Sequence, residues 1–387
     1  MFNIKTLNSI AAIYKKHLDK AEYAVGADVE NADAILVRSA DMHKMEMPKA
    51  LLAIARAGAG VNNIPVDECA KAGIVVFNTP GANANAVKEL AIGAMLIASR
   101  DIVGGIGWCK TIADQGDAVP KLVEKGKSQF VGPELAGKRL GVVGLGEIGA
   151  LVANAGKALE MDVTGYDPYI SVEHAWMLSR SIGKVKTLDE LLAKSDYITL
   201  HVPMMEKTKG MIGREQLAKM RRGAVLINLS RGGLVDNEAI IEALDGGQLR
   251  AYVTDFPSDD LIGKKGVICI PHLGASTPES EDNCVVMACR QLDAYLKEGS
   301  IKNSVNYPDC ELPEMTKRRI CIMHENVAGM VGKITALVAG LGINIDSMVN
   351  KSKGQYAYTV LDLDEDFGGH LEEEIEAMPE VYRVRAY

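Results

Sequence analysis

Six residues, Gly144-Leu145-Gly146-Glu147-Ile148-Gly149, limit what this chain can fold into more than any other stretch. They follow a β-like run, Arg139-Leu140-Gly141-Val142-Val143, and open a helical pattern, Ala150-Leu151-Val152-Ala153. In that setting the first glycine permits a tight turn, the second lets backbone approach a diphosphate, and the third lets the helix pack closely on the sheet. Unpaired N–H groups and the positive end of the helix dipole then face the anion. The next β-like run, Met161 to Tyr166, ends in Asp167, 18 residues past Gly149. A carboxylate there accepts hydrogen bonds from an adenosine ribose and repels a 2′-phosphate. The segment reads as a dinucleotide site built on Gly144, Gly146, Glu147, Ile148, Gly149 and Asp167, with NAD favoured over NADP.

The 387 residues exceed one core, since single cores stop growing at roughly 250 to 300 residues. The composition, 48% hydrophobic and 24% charged, is that of a globular chain, and a net charge of −8 leaves no broad basic face for nucleic acid or anionic lipid. An anionic ligand has to be held locally. The charge-free run Leu90 to Ser99 is far short of the roughly 20 residues of a membrane span. The N-terminal residues lack a secretory signal pattern, so a cytoplasmic protein is expected. Seven cysteines, with no C-x-x-C pair, fit reduced thiols rather than a disulfide framework or metal site.

The first hundred residues alternate β-rich runs (34–37, 52–55, 73–77) with helical ones, the rhythm of a parallel α/β sheet. A helix pattern from Ala82 to about Val103 dissolves into Gly104-Gly105-Ile106-Gly107, and a domain crossing is expected near 100. Strands at 161–166, 197–202, 224–229, 251–254 and 267–270 make a second doubly wound sheet. A helix from Ser280 to Leu296 then returns the chain to the first domain. After Pro313 the order becomes βαββαβ, the ferredoxin-like arrangement. The expected architecture is two doubly wound, Rossmann-like parallel-sheet domains (1–99 with 284–305, and 100–283) plus a ferredoxin-like βαββαβ module (316–387).

Three clusters lie at expected strand ends of the second domain: His201-Val202-Pro203, Asn228-Leu229-Ser230-Arg231-Gly232-Gly233 and Pro271-His272-Leu273-Gly274-Ala275-Ser276-Thr277. Ligands of open α/β sheets bind beyond the carboxyl ends of strands, so the three should converge on one crevice. An arginine beside two glycines can present its fork to a carboxylate, and a histidine exchanges a proton near neutral pH.

The Asn228–Gly233 and His272–Thr277 runs, downstream of this G-x-G-x-x-G, resemble the D-isomer-specific 2-hydroxyacid dehydrogenase family. Arg56-Ala57-Gly58-Ala59-Gly60-Val61-Asn62-Asn63-Ile64, Asn78-Thr79-Pro80-Gly81 and Glu134-Leu135-Ala136-Gly137-Lys138 match too, so the resemblance covers nearly the whole chain. It implies hydride transfer between C2 of a 2-hydroxy acid and NAD, with His272 as general base, Arg231 gripping the substrate carboxylate, and a carboxylate paired to the imidazole. Where the family carries D-V-F and, two residues later, Glu, this chain reads Thr254-Asp255-Phe256-Pro257-Ser258-Asp259-Asp260. Anchoring on Phe256-Pro257 assigns Asp259 as the partner of His272, with Asp260 as the alternative, and puts Thr254 opposite the nicotinamide amide. His201, Val202, Pro203, Thr208 and Gly274 complete the implied cofactor set.

Among family members the resemblance is to those oxidising 3-phospho-D-glycerate to 3-phosphohydroxypyruvate, the entry to L-serine. It implies a substrate site of Arg38, Ser39, Arg56 and Gly58, with Lys127 supplied from a neighbouring subunit of a homodimer or homotetramer. The C-terminal module resembles an ACT domain. By that resemblance His324 and Asn326, in the loop after its first strand, and Asn344 at the next turn would hold L-serine as effector. Competing expectations are a hydroxypyruvate or glyoxylate reductase and a noncatalytic NADH-sensing protein on the same fold.

Overall fold

The computed structural model describes residues 1–313, 315, 318–364 and 368–387. They form two compact units, Met1–Ala82 with Glu281–Tyr387, and Asn83–Ser280.

The N-terminal part of the first unit is a sheet of β1 (Phe2–Leu7), β2 (Tyr23–Gly26), β3 (Ala34–Val37), β4 (Ala53–Arg56) and β5 (Val75–Phe77). Its strands run parallel in the order β2-β1-β3-β4-β5. Successive side chains of a strand point to opposite faces. Thus Ala34, Leu36, Ala53 and Ala55 enter one apolar core, while Ile35, Val37, Ile54 and Val76 enter another across the sheet. Both faces are covered, which is why β3 is an unbroken apolar run.

The second unit carries β6 (Arg139–Val143), β7 (Asp162–Tyr166), β8 (Gly183–Lys184), β9 (Tyr197–Leu200), β10 (Ala224–Asn228), β11 (Leu249–Thr254) and β12 (Val267–Cys269). They are parallel, in the order β12-β11-β10-β9-β6-β7-β8, so the winding reverses between β6 and β9. That reversal opens a crevice at the strand ends. The helix Ala84–Ser99 belongs to this unit, because Val87, Ala91, Ala94, Met95 and Ala98 form an apolar stripe packed with Leu140, Val142 and Val225. The units therefore divide at Ala82/Asn83 and Ser280/Glu281, whereas the sequence suggested 99/100 and 283/284. The glycines expected to dissolve the helix are instead inside a second one, Ile102–Thr111, started by Asp101, whose carboxylate accepts the Gly104 N–H at 2.9 Å. Among the described residues, no single helix is long and apolar enough to cross a membrane.

The helix Pro278–Glu298 carries Val285, Ala288, Leu292, Tyr295 and Leu296 into the core of the first unit. Beyond it β13 (Arg318–Glu325), β14 (Ile345–Lys353), β15 (Tyr356–Leu363) and β16 (Val381–Ala386) pair antiparallel as β14-β15-β13-β16, with helices Met330–Gly340 and Gly368–Glu376. This is the ferredoxin-like order anticipated from the sequence. The expected start of the module, 316, lies outside the described residues.

The module is continuous with the rest of its unit. One face of its sheet packs on its own helices through Ile320, Ile322, Leu361 and Leu363, and the other places Cys321, Met323, Tyr358 and Val360 in the core shared with β1 to β5. Arginines seal the junction. Arg383 donates to the carbonyls of Leu51, Lys49 and Ala72 at 2.6 to 3.1 Å, and Arg385 to those of Tyr295 and Leu296. Arg319, wholly buried, donates to the Glu298 carbonyl and forks onto Asp362 at 2.6 and 3.0 Å.

Removing one partner of such a buried pair strands the other. Arg319→Ala should lower the unfolding free energy by about 3 kcal/mol in urea titrations. A change within experimental error would show that the fork does not hold the junction.

Candidate active site

The turn after β6 leaves no room for side chains. Gly144 has φ +87°, and a Cβ there would lie 2.4 Å from the His201 carbonyl oxygen; a Cβ at Gly149 would lie 1.9 Å from the Gly144 oxygen. Gly146, the N-cap of helix Glu147–Ala158, has no atom within 4 Å of the equivalent point, so the helix N-terminus opens on free space. The Asp167 carboxylate, just past β7, accepts Leu145 N–H and Tyr169 N–H, each at 2.8 Å, and is thereby fixed beside the turn. Amide donors, open approach and a placed carboxylate fit a dinucleotide that has no 2′-phosphate. Glu147 at the mouth pairs with His174 at 3.3 Å, and Ile148 follows it in the first turn of the helix.

His201 follows β9. Its Nε2 lies 2.9 Å from Thr199 Oγ1, its Nδ1 is buried without a partner, and burial pushes its pKa down to about 4. Val202 is half-buried and Pro203 exposed; Thr208 Oγ1 donates to the Pro203 carbonyl at 2.7 Å and closes that loop.

Three neighbouring strand ends carry the remaining groups of this unit. After β10, Asn228 donates to the Arg231 carbonyl and accepts from Ser230 N–H, while Ser230 Oγ donates to the Leu200 carbonyl. These bonds hold the backbone of Arg231, whose exposed guanidinium donates to its neighbour's carbonyl at 2.7 Å. After β12, His272 is exposed with φ +43°, a left-handed conformation costly for a residue with a side chain. Between them, after β11, stands Asp255. Its main-chain oxygen accepts His272 N–H at 3.1 Å and its Oδ2 accepts Gly274 N–H at 3.2 Å. The neighbouring Phe256 ring lies 4.8 Å from the imidazole.

Asp255 is 1% exposed, and its Oδ1 has no partner. Burial raises its pKa, opposed by the Gly274 N–H and by the charges of His272 and Arg231. Sequence reasoning passed over it. The one available signal was an acid at the end of an otherwise apolar strand, immediately before Phe256. Thr254 is buried and its Oγ1 accepts Phe256 N–H at 3.1 Å. Asp259 is exposed on the following turn. Asp260 accepts from Asn237 at 3.0 Å, which with a Ser258 hydrogen bond holds its carboxyl below the usual range. Neither carboxylate is hydrogen-bonded to His272.

In the first unit, Arg38 follows β3 and Arg56 ends β4. Arg56 Nε donates to the Arg38 carbonyl at 3.0 Å, its guanidinium lies where a Cβ of Gly58 would be, and Arg38 pairs with Glu281 at 2.6 Å. Ser39 N–H donates to Asn8 Oδ1 at 3.3 Å. Lys127, in the second unit, is exposed and paired with Glu124. In the C-terminal module, His324 is not in a loop as expected but inside β13, 2% exposed, with Nδ1 at 2.8 Å from the Glu325 carbonyl and Nε2 at 2.8 Å from Thr359 Oγ1. The strand persists through it because both faces of the sheet there are covered. Asn326 donates to the Gly354 carbonyl, and Asn344 to Asp364.

Residues 92–274 match the family model described as D-isomer specific 2-hydroxyacid dehydrogenase, NAD binding domain. Similar curated proteins include the D-3-phosphoglycerate dehydrogenases of Methanocaldococcus jannaschii, 37% identical over 82% of this chain and 59% of that protein, and of Bacillus subtilis, 33% identical over 80% and 57%. The chain thus spans little more than half the length of those relatives. Among solved structures, NAD+-bound 3-phosphoglycerate dehydrogenase of Entamoeba histolytica is 28% identical with a TM-score of 0.59, over 79% of this chain and 98% of that one. Apo D-mandelate dehydrogenase of Rhodotorula graminis, 22% identical with a TM-score of 0.66 over 80% and 99%, shares the fold.

The shielded His201 makes the stability of this unit depend on pH. The unfolded chain takes up this proton near pH 6.5 and the folded one only near 4, so between those values the unfolded state binds more protons and stability falls with pH, by about 3 kcal/mol in all. Urea unfolding at pH 7 and pH 4.5 should show a larger loss for the natural protein than for His201→Gln. Equal losses would clear the imidazole as the cause.

Proposed function

We propose, from the premise that residues 92–274 are the NAD binding domain of a D-isomer-specific 2-hydroxyacid dehydrogenase, that this chain oxidises 3-phospho-D-glycerate to 3-phosphohydroxypyruvate. The observation that carries the reading is the trio of neighbouring strand ends after β10, β11 and β12, which carry Arg231, Asp255 and His272, with the Asp255 carbonyl accepting His272 N–H. NAD, when bound, accepts the hydride from C2. Gly144, Gly146, Gly149 and the amides of helix Glu147–Ala158 would hold its diphosphate, and Asp167 its ribose.

His272 takes the proton of the C2 hydroxyl in the oxidation direction and returns it in reduction. Arg231, with its backbone fixed by Asn228, grips the substrate carboxylate and polarises the C2 oxygen. Once protonated, His272 is a cation, and a carboxylate nearby favours that form. Asp255 suits this role better than Asp259 or Asp260, because it also fixes the His272 turn through two hydrogen bonds. Arg38 and Arg56, with Ser39 and Gly58, take the phosphate. The names of the curated relatives support this substrate.

The same reading makes the C-terminal module an ACT domain and the protein a cytoplasmic homo-oligomer with Lys127 serving a neighbouring subunit. L-serine is its proposed effector, held by Asn326 and Asn344 with His324 anchoring the sheet behind them.

The test is NADH oxidation with 3-phosphohydroxypyruvate, hydroxypyruvate and 2-oxoglutarate, each with and without L-serine. A kcat/KM at least tenfold higher for the phosphorylated acid is expected. Preference for an unphosphorylated acid would keep the dehydrogenase and overturn its substrate, and NADH binding without turnover would point to a sensing protein. No response to serine would retire the effector. His272→Ala should cost about 10² to 10⁴ in turnover and leave NADH affinity nearly intact. Asp255→Asn should move the pH limb governed by His272 to lower pH, since it removes a charge that favours the imidazolium. If Asp259→Asn moves it instead, Asp255 is not the partner.

A further inference from the structure

Arg38 and Arg56 do not stand alone in the first unit. Glu281, in the helix Pro278–Glu298, reaches Arg38 Nη2 with Oε1 at 2.6 Å. Three residues along the same helix, Cys284 is buried and in the field of Arg56, Arg38 and Glu281. Arg56 is tied to the Arg38 carbonyl through Nε, so the two arginines are coupled through the backbone.

We infer that Glu281 is a built-in occupant of this anion seat: its carboxylate takes the place on Arg38 that the substrate phosphate takes, and substrate binds by displacing it. The inference rests on the proposed function. Both partners of the pair are partly exposed, at 41% and 38% of their side chains, so the pair is weak and exchanges readily for a better acceptor. A phosphate dianion is such an acceptor, since it offers more oxygens and twice the charge to a guanidinium fork. A substrate ending in a neutral hydroxyl has nothing to displace Glu281 with, and the ion pair stays closed. Glu281 thus sets the strength of anion that gains entry to Arg38, and keeps the guanidinium posed while no substrate is there.

The experiment is calorimetric titration of the full-length protein with inorganic phosphate, for the natural chain, Glu281→Gln, Glu281→Ala and Arg38→Gln, alongside kcat/KM for 3-phosphohydroxypyruvate and hydroxypyruvate. Removing one negative charge at this distance in a water-accessible site is worth about a five- to tenfold change. Both Glu281 variants should therefore bind phosphate about five- to tenfold more tightly. Their kcat/KM ratio for phosphorylated over unphosphorylated keto acid should rise by a similar factor, and Arg38→Gln should abolish the difference. Equal or weaker phosphate binding in both Glu281 variants, with Arg38→Gln still impaired, would overturn the inference and leave the phosphate seat standing: Glu281 would then only orient Arg38. Phosphate binding to none of the proteins, with Arg38→Gln unimpaired, would overturn the seat itself.

Discussion

The Gly144 carbonyl oxygen sits where the Cβ of any residue other than glycine at 149 would have to be, and that contact fixes the second unit. It presses the helix Glu147–Ala158 onto β6 so that the first-turn amides emerge at the strand end. It also brings the turn against the end of β9, since Gly144 itself meets the His201 carbonyl. The loops after β6, β7 and β9 are thereby packed into one layer, and Asp167 can reach Leu145 N–H across it. A side chain at either glycine would push the helix away and scatter the donors of the dinucleotide site.

A second constraint acts at the neighbouring strand ends. A left-handed histidine persists only where its surroundings over-determine it. Here the Ile270 and Asp255 carbonyls share the His272 N–H, the Asp255 side chain ties the turn at Gly274, and the Phe256 ring lies beside the imidazole. The cost is a buried carboxyl with one oxygen unpaired. Such a group is tolerated where a donor and a cation oppose the cost of burial, and the Gly274 N–H and Arg231 do so here.

Patterns that repeat along the chain were legible in the sequence. The parallel strands declare themselves as apolar runs, the glycine turn by its spacing, and the C-terminal module by its order of elements. What was hidden depends on single bonds. The helix Ile102–Thr111 runs through three glycines that argue against it, because Asp101 caps it. Strand β1 carries the polar residues Asn3, Lys5 and Thr6, and is a strand because β3 and β2 pair with its two edges. Asp255 looks like a strand-end acid of no account until the turn carrying Gly274 folds back on it. His324 reads as a loop ligand, yet its ring is held by Thr359, 35 residues away in another strand. The arginines of β13 and β16 gave no sign that their partners would be backbone carbonyls.

Those arginines bear on the helix Pro278–Glu298. The last carbonyls of a helix lack internal partners and carry the negative end of its dipole, so cationic forks are well matched to them. Arg319 and Arg385 provide these forks, and Tyr387 adds a hydroxyl to the Tyr295 carbonyl at 2.8 Å. The helix has 21 residues, about 30 Å at 1.5 Å per residue, and behaves as a stiff rod. Its C-terminal turn is held by the antiparallel sheet, and Glu281 near its other end forms the partly exposed pair with Arg38. One helix thus carries at its two ends the partner of Arg38 and the carbonyls that Arg319 and Arg385 cap.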